Sequence, residues 1–232
     1  TTEIYTLSYT TLFRSSIVDG RSLSNRQIAK VYSKWRTRLS WGSDLSRGEI
    51  GCALSHIDFY RRVVENNAPG FVFEDDVELT ADVECALEKV SSFLSAAKSP
   101  SLVQLPGLER DLPRCKEDCL AGAFVKVSSA IGTYAYGVNP ATAALLLKVF
   151  TPIKFPIDRY GYLIKQYGLE FYVYNSKVIT VDMDSESMVG DDRFKTYKGV
   201  AWLCYKVWRL IGKMVDNRRS EERRVGKECR SR

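Results

Sequence analysis

Three consecutive carboxylates, Glu74, Asp75 and Asp76, close a short apolar run, Phe71-Val72-Phe73, and are followed by Val77. Acids held side by side repel one another and lose hydration as the chain folds around them. A divalent cation relieves that cost, as does a proton on one of them. Oxygen-only ligands suit Mg²⁺ or Mn²⁺, and those ions in turn hold phosphate oxygens. Phe71 and Phe73 point to one face of an extended chain and Val72 to the other, so the run reads as a strand buried on both sides. The acids then stand at a strand's carboxyl end, where open α/β sheets bind ligands. A solvated acidic turn is the plainer alternative. On an extended backbone Glu74 and Asp76 share a face and Asp75 opposes them. One ion reaches all three only if the strand bends there.

The elements around the acids follow from pattern. Ser46 with Glu49 three positions on has the spacing of a capping box, and Ile50, Ala53, Leu54, Ile57 and Val64 recur at helical intervals. A helix is expected over residues 49–65, stopped by the turn Asn66-Asn67-Ala68-Pro69-Gly70. A further helix is expected over 81–97, strands over 102–105, 124–127 and 133–138, and a helix over 141–150 opened by Asn139-Pro140. Residues 158–167 suggest another helix, stopped by Gly168. Residues 170–181 suggest one long strand or a pair, and residues 23–39 are polar and helix-compatible. Strands alternating with helices of ten or more residues argue for an α/β sandwich. Its sheet is expected to be mixed and mostly parallel, in a single domain.

Length and composition set the bounds. The chain has 232 residues, 45% hydrophobic and 27% charged, and its length suits one α/β domain with a full core or two small ones. No run approaches the ~20 apolar residues that span a bilayer. The six cysteines show no disulfide-framework spacing, and His56 is the single histidine. Cys115 and Cys119 could form half a zinc site, but no second pair accompanies them, so free thiols in a reducing compartment are expected. The formal charge of +6 includes +3 from residues 219–232, RSEERRVGKECRSR, which resemble a translated sequencing adapter. Residues 9–15, YTTLFRS, resemble the opposite adapter strand. Residues 1–15 and 219–232 are therefore set aside as adapter-derived, and residues 16–199 are taken as the functional domain. The remainder carries about +3, which gives no argument for nucleic acid.

Between Val200 and Arg218, aromatic and aliphatic residues surround much of a helix, while Lys206, Arg209, Lys213 and Asn217 form a stripe. That pattern suits peripheral contact with an anionic membrane. It equally suits a helix packed on the domain with a solvated basic face.

One helix and one turn before the acids stands Gly48-Glu49-Ile50-Gly51-Cys52-Ala53-Leu54-Ser55-His56. Together with Phe73-Glu74-Asp75-Asp76-Val77 it closely resembles glycosyltransferase family 25, the lipooligosaccharide-biosynthesis galactosyl- and glucosyltransferases. Val18-Asp19-Gly20-Arg21, Gly132-Thr133-Tyr134-Ala135-Tyr136-Gly137-Val138 and Phe155-Pro156-Ile157-Asp158 fit later and earlier segments of the family in its order, over about residues 17–190. The resemblance implies a GT-A-like fold. It also implies a UDP-sugar donor whose diphosphate is bridged by Mn²⁺ or Mg²⁺, and a lipid-linked or LPS-type glycan acceptor at the cytoplasmic membrane face. The family begins with a strand and helix that help hold the nucleotide. About sixteen residues precede Val18 here, so an amino-terminally truncated fragment is expected.

The resemblance also assigns roles. Asp76 and Asp75 become candidate metal ligands, as GT-A likeness favours the last acids. Strand geometry favours Glu74 with Asp76, so all three stay candidates with Asp76 foremost. Glu74 and Asp75 are further candidates for contacts to the donor. Glu49 and His56 share a helical face, seven positions apart, and are donor-site candidates. Glu49 is equally a capping acid and His56 equally a structural side chain. Asp158 matches the Pro-x-Asp aspartate and is the candidate base for the acceptor hydroxyl, or the N-cap of the helix that follows. Asp182-Met183-Asp184 has D-x-D spacing but reads as a loop. Tyr134, Tyr136 and Trp41 could stack on sugar rings, although core packing suits each. Two other functions compete with sugar transfer. Acidic metal sites also serve phosphoryl or nucleotidyl transfer, but no glycine-rich phosphate loop is present in the sequence. A truncated family member could instead bind glycan or membrane without catalysis.

Overall fold

The computed structural model describes the backbone of residues 5–8 and 11–14, and residues 18–108, 123–130 and 132–181 in full. Nine strands and six helices lie among the described residues. A seven-stranded sheet runs in the order β2 (Thr11–Arg14), β1 (Tyr5–Ser8), β3 (Gly70–Phe73), β7 (Ala135–Val138), β5 (Ser101–Gln104), β8 (Glu170–Tyr174), β6 (Phe124–Lys126). The residues read as an amino-terminal adapter thus supply β1 and β2, and β1 pairs antiparallel with β3. A two-stranded ribbon joins β4 (Val77–Leu79) to β9 (Ile179–Val181).

The α/β class and the mixed sheet agree with the sequence reading, but the strand pairing does not. Only β5 and β8 pair in parallel, and every other hydrogen-bonded pair of the sheet is antiparallel. The reason lies in β7. The unit β3–α4–β5, with α4 at Val83–Ala96, does set β3 and β5 in the same direction, as a strand–helix–strand unit would. However, β7 inserts between them and runs against both. The carboxyl ends of β3, β5 and β8 therefore share one edge of the sheet with the amino end of β7.

Burial on both faces fits the expected pattern. Val72, Leu102, Tyr136, Val138, Phe171 and Val173 enter one core, together with helix α3 (Arg47–Asn66), α5 (Pro140–Val149) and α6 (Tyr160–Tyr167). Phe71, Phe73, Val103 and Ala135 enter the opposite core, under α4. Each Val, Leu or Phe side chain among them contributes about 1.5–3 kcal/mol when fully buried.

The helix ends obey local chemistry. Ser46 and Glu49 form the reciprocal capping box of α3, and Asn67 ends that helix in the left-handed region, at φ 47°. Asn139 caps α5 through Thr142 N–H. Gly168, at φ 69°, ends α6. Residues 23–39 resolve into two short helices, α1 (Asn25–Val31) and α2 (Lys34–Ser40). Residues 170–181 form two strands in different sheets, β8 and β9. Helix α6 begins two residues later than expected, and no side chain caps it, so Asp158 does not serve as an N-cap. The expected helix between Val200 and Arg218, the Cys115/Cys119 pair and Asp182-Met183-Asp184 lie outside the described residues. Among the described residues no helix is long and apolar enough to cross a membrane.

Candidate active site

Strand β3 stops at Phe73, and the next four residues turn. Glu74 N–H donates to Tyr134 O at 2.7 Å, the last rung against β7, and Val77 N–H closes the turn onto Glu74 O at 3.2 Å. The chain then leaves as β4, pairing with β9 instead of the main sheet. The acids therefore lie on a bend between two sheets, which removes the extended-strand alternation that would separate them. Asp75 is exposed at the apex, and Glu74 and Asp76 are half-buried.

The three carboxylates have different surroundings. Glu74 Oε1 accepts from Thr133 Oγ1 at 2.5 Å and lies 3.5 Å from His56 Nε2. Asp76 Oδ1 is shielded from solvent. Glu74 thus turns toward the protein, while Asp75 stands in water.

Beneath Glu74 lies a buried polar chain. His56 is fully buried, and its Nδ1 shares a hydrogen bond with Tyr136 Oη at 2.8 Å. Tyr136 Oη in turn lies 2.8 Å from Tyr60 Oη. Burial pushes the Tyr136 and Tyr160 phenols well above the ordinary tyrosine range, so both stay protonated in neutral solution. The carboxylates of Asp158 and Glu74 each raise Tyr160 further. Asp158 is half-buried, just ahead of α6.

The motif of α3 divides its tasks by helical face. Glu49 Oε2 accepts from Ser46 N–H at 2.7 Å, so its carboxylate serves the cap at the far end from His56. Ile50, Ala53 and Ile57 enter the core. Gly51 and Ser55 receive the Val18–Gly20 segment: Val18 N–H donates to Ser55 Oγ at 3.0 Å, and a Cβ on Gly51 would stand 2.5 Å from Gly20 N and Val18 O. Cys52 and His56, one turn apart, face Glu74. The structure therefore brings His56, Glu74, Asp75 and Asp76 to one place and leaves Glu49 at the helix entry.

Sequence reasoning did not reach Thr133, Tyr60 or Tyr160 as site residues. Tyr60 could have been found, since it follows His56 at i+4 on the same face. Thr133 could not, because its partnership with Glu74 depends on β7 inserting beside β3. Tyr136, read as a core or stacking aromatic, is buried in the core and uses its hydroxyl to hold His56.

A bent acid turn at the carboxyl edge of an α/β sheet, backed by a helix reading GEIGCALSH, agrees with comparison to known proteins. The family model for glycosyltransferase family 25 (LPS biosynthesis protein) matches residues 14–161, more than half of the chain. The chain belongs to that family. Among curated relatives, it is 33% identical over 125 residues to the human inactive glycosyltransferase 25 family member 3. It is 31% identical over 124 residues to the bovine probable inactive glycosyltransferase 25 family member 3. Each match covers 51% of this chain and 20% of the relative, so the matched segment spans about a fifth of those proteins.

Proposed function

We propose that the protein is a metal-dependent hexosyltransferase that moves a hexose, galactose foremost, from a UDP-sugar to a lipooligosaccharide- or LPS-type glycan acceptor. The observation that carries this reading is the bend at Glu74–Val77, which presents neighbouring carboxylates at the ligand-binding edge of a family 25 domain. Their oxygen-only donor set fits a hard divalent cation such as Mn²⁺ or Mg²⁺. Asp76 and Asp75 would hold the ion, with Glu74 fastened to Thr133 to fix the bend. The ion, when bound, neutralises charge growing on the departing nucleoside diphosphate. Asp158 is the base that takes the acceptor hydroxyl's proton. The acceptor is membrane-anchored in this reading, and the segment between Val200 and Arg218 would meet the cytoplasmic membrane face.

The test is UDP-galactose turnover with and without Mn²⁺, in the wild type and in Asp76→Asn. We expect metal-stimulated turnover in the first, and a loss of about 100-fold or more in the second, as for removal of an electrostatic stabiliser. Metal-stimulated turnover retained in Asp76→Asn would overturn the role of Asp76.

A non-catalytic family member is the second reading, favoured by the word "inactive" in the names of both relatives. Calorimetric titration of UDP with and without Mn²⁺ separates the two. Metal-linked UDP binding with turnover supports the enzyme, and silence in both assays supports the binding module.

A further inference from the structure

Behind the acid turn lies a second set of donors of different chemistry. Cys52 Sγ, His56 Nε2 and a Glu74 carboxylate oxygen lie within 4.8 Å of one another. Cys52 and His56 are one helical turn apart on α3, so they project from one face. Glu74 comes from the end of β3 across the gap. His56 is 0% exposed, yet its Nε2 makes no hydrogen bond among the described residues. It stops 3.5 Å from Glu74 Oε1. A buried ring nitrogen left in that state is costly unless something meets it.

We infer that Cys52, His56 and Glu74 form a binding site for a borderline-soft divalent metal of the Zn²⁺ or Co²⁺ kind, distinct from the all-oxygen site at Asp75 and Asp76. A thiolate, an imidazole and a carboxylate are a donor set that Zn²⁺ accepts and that Mg²⁺ and Mn²⁺ do not prefer. The ring is already oriented. When Nδ1 carries the proton and donates it to Tyr136 Oη, the Nε2 lone pair faces Cys52 and Glu74. Tyr60 holds Tyr136 in turn. Bond lengths of ~2.0–2.3 Å place tetrahedral ligand atoms about 3.3–3.8 Å apart. His56 Nε2 and Glu74 Oε1 already stand at 3.5 Å, and no pair of the three is more than 4.8 Å apart, so the contraction needed is at most about 1–1.5 Å. Cys52 and Glu74 are only partly buried and His56 is fully buried, so the contraction falls to Cys52 and to the Glu74 carboxylate, whose Oε1 also accepts from Thr133. Three protein ligands leave the fourth position to water or a ligand oxygen. Binding releases the Cys52 thiol proton to solvent, with no change of oxidation state.

The test uses Co²⁺ with the purified, reduced full chain and does not depend on sugar transfer. We expect one equivalent of Co²⁺ to give a thiolate-to-cobalt charge-transfer absorption, displaced by Zn²⁺. The absorption should vanish in Cys52→Ser and persist when the other five cysteines are replaced by serine. Zn²⁺ should raise the thermal midpoint of the wild type and leave that of Cys52→Ser unchanged, with circular dichroism confirming that the variant folds. No charge-transfer absorption in the wild type, or its retention in Cys52→Ser, would overturn the site. Because the readout is spectroscopic, its failure leaves the transferase reading untouched, and an inactive enzyme can still pass it.

Discussion

Tyr136 Oη holds two buried partners at once, His56 and Tyr60, and none of the three side chains has useful access to water. Tyr136→Phe keeps the ring in the core and removes both bonds, which strands two polar groups. We expect a loss of about 2–6 kcal/mol, built from ~1–3 kcal/mol per stranded group, read as a lower denaturant midpoint at constant m-value. Tyr60→Phe should cost less, because His56 keeps its partner. Thr133→Val should leave stability near wild type but free Glu74, and so weaken Mn²⁺ binding by calorimetry. An unchanged affinity would show that Thr133 does not fix the bend. Some of this was readable beforehand. The acids, His56 and Asp158 stood out by type and by neighbours in sequence. The hydroxyl chain did not, because His56 and Tyr136 are 80 positions apart and meet only after the chain between them has folded into sheet and helix.

Helix boundaries were legible for a physical reason: caps are chemistry between residues three or four positions apart. Ser46 with Glu49, Asn139 with Thr142, and Gly168 all act locally. Ser46→Ala should therefore cost about 0.5–2 kcal/mol, measurable by urea unfolding. Strand partners were not legible, because β7 lies between β3 and β5 through contacts that no local pattern encodes. The glycines of two family-like segments become intelligible only in three dimensions. A Cβ on Gly20 would collide with Arg47 O, and one on Gly51 would meet Gly20 N at 2.5 Å. The two backbones touch, and neither can yield as a flexible side chain would. Gly51→Ala, otherwise favourable in a helix, should destabilise by about 1–3 kcal/mol. A stabilised variant would show that the Val18–Gly20 segment can lift away from α3.

Across the whole molecule, the far edge of the sheet carries a pH response. Lys126 Nζ lies 2.5 Å from Glu170 Oε1, and Ser99 Oγ donates to Glu170 Oε2 at 2.6 Å. The Lys126 and Ser99 hydrogen bonds pull the Glu170 carboxyl down from 4.5 to about 2. A depressed folded value means stability that is fully present above about pH 4.5 and lost as pH falls through about 2. Lys126 is more than half exposed, so salt screens much of the effect. Thermal midpoints of Lys126→Gln and wild type should therefore converge as pH drops across that window, and should lie closer together in high salt at every pH. A gap that is constant with pH would rule the pair out as its source.

The ribbon of β4 and β9 has a consequence in time. Val77 pairs with Val181, so the strand leaving the acid turn gains its partner only after about a hundred more residues have been made. On the ribosome, β3 and the turn emerge early and wait. Contacts so distant along the chain form late. The turn is thus finished by the last described strand, and until then its acids are exposed to whatever cations the nascent chain meets. Chains stalled before Ile179 should remain open to protease at residues 77–79, and chains stalled well beyond Val181 should be protected there.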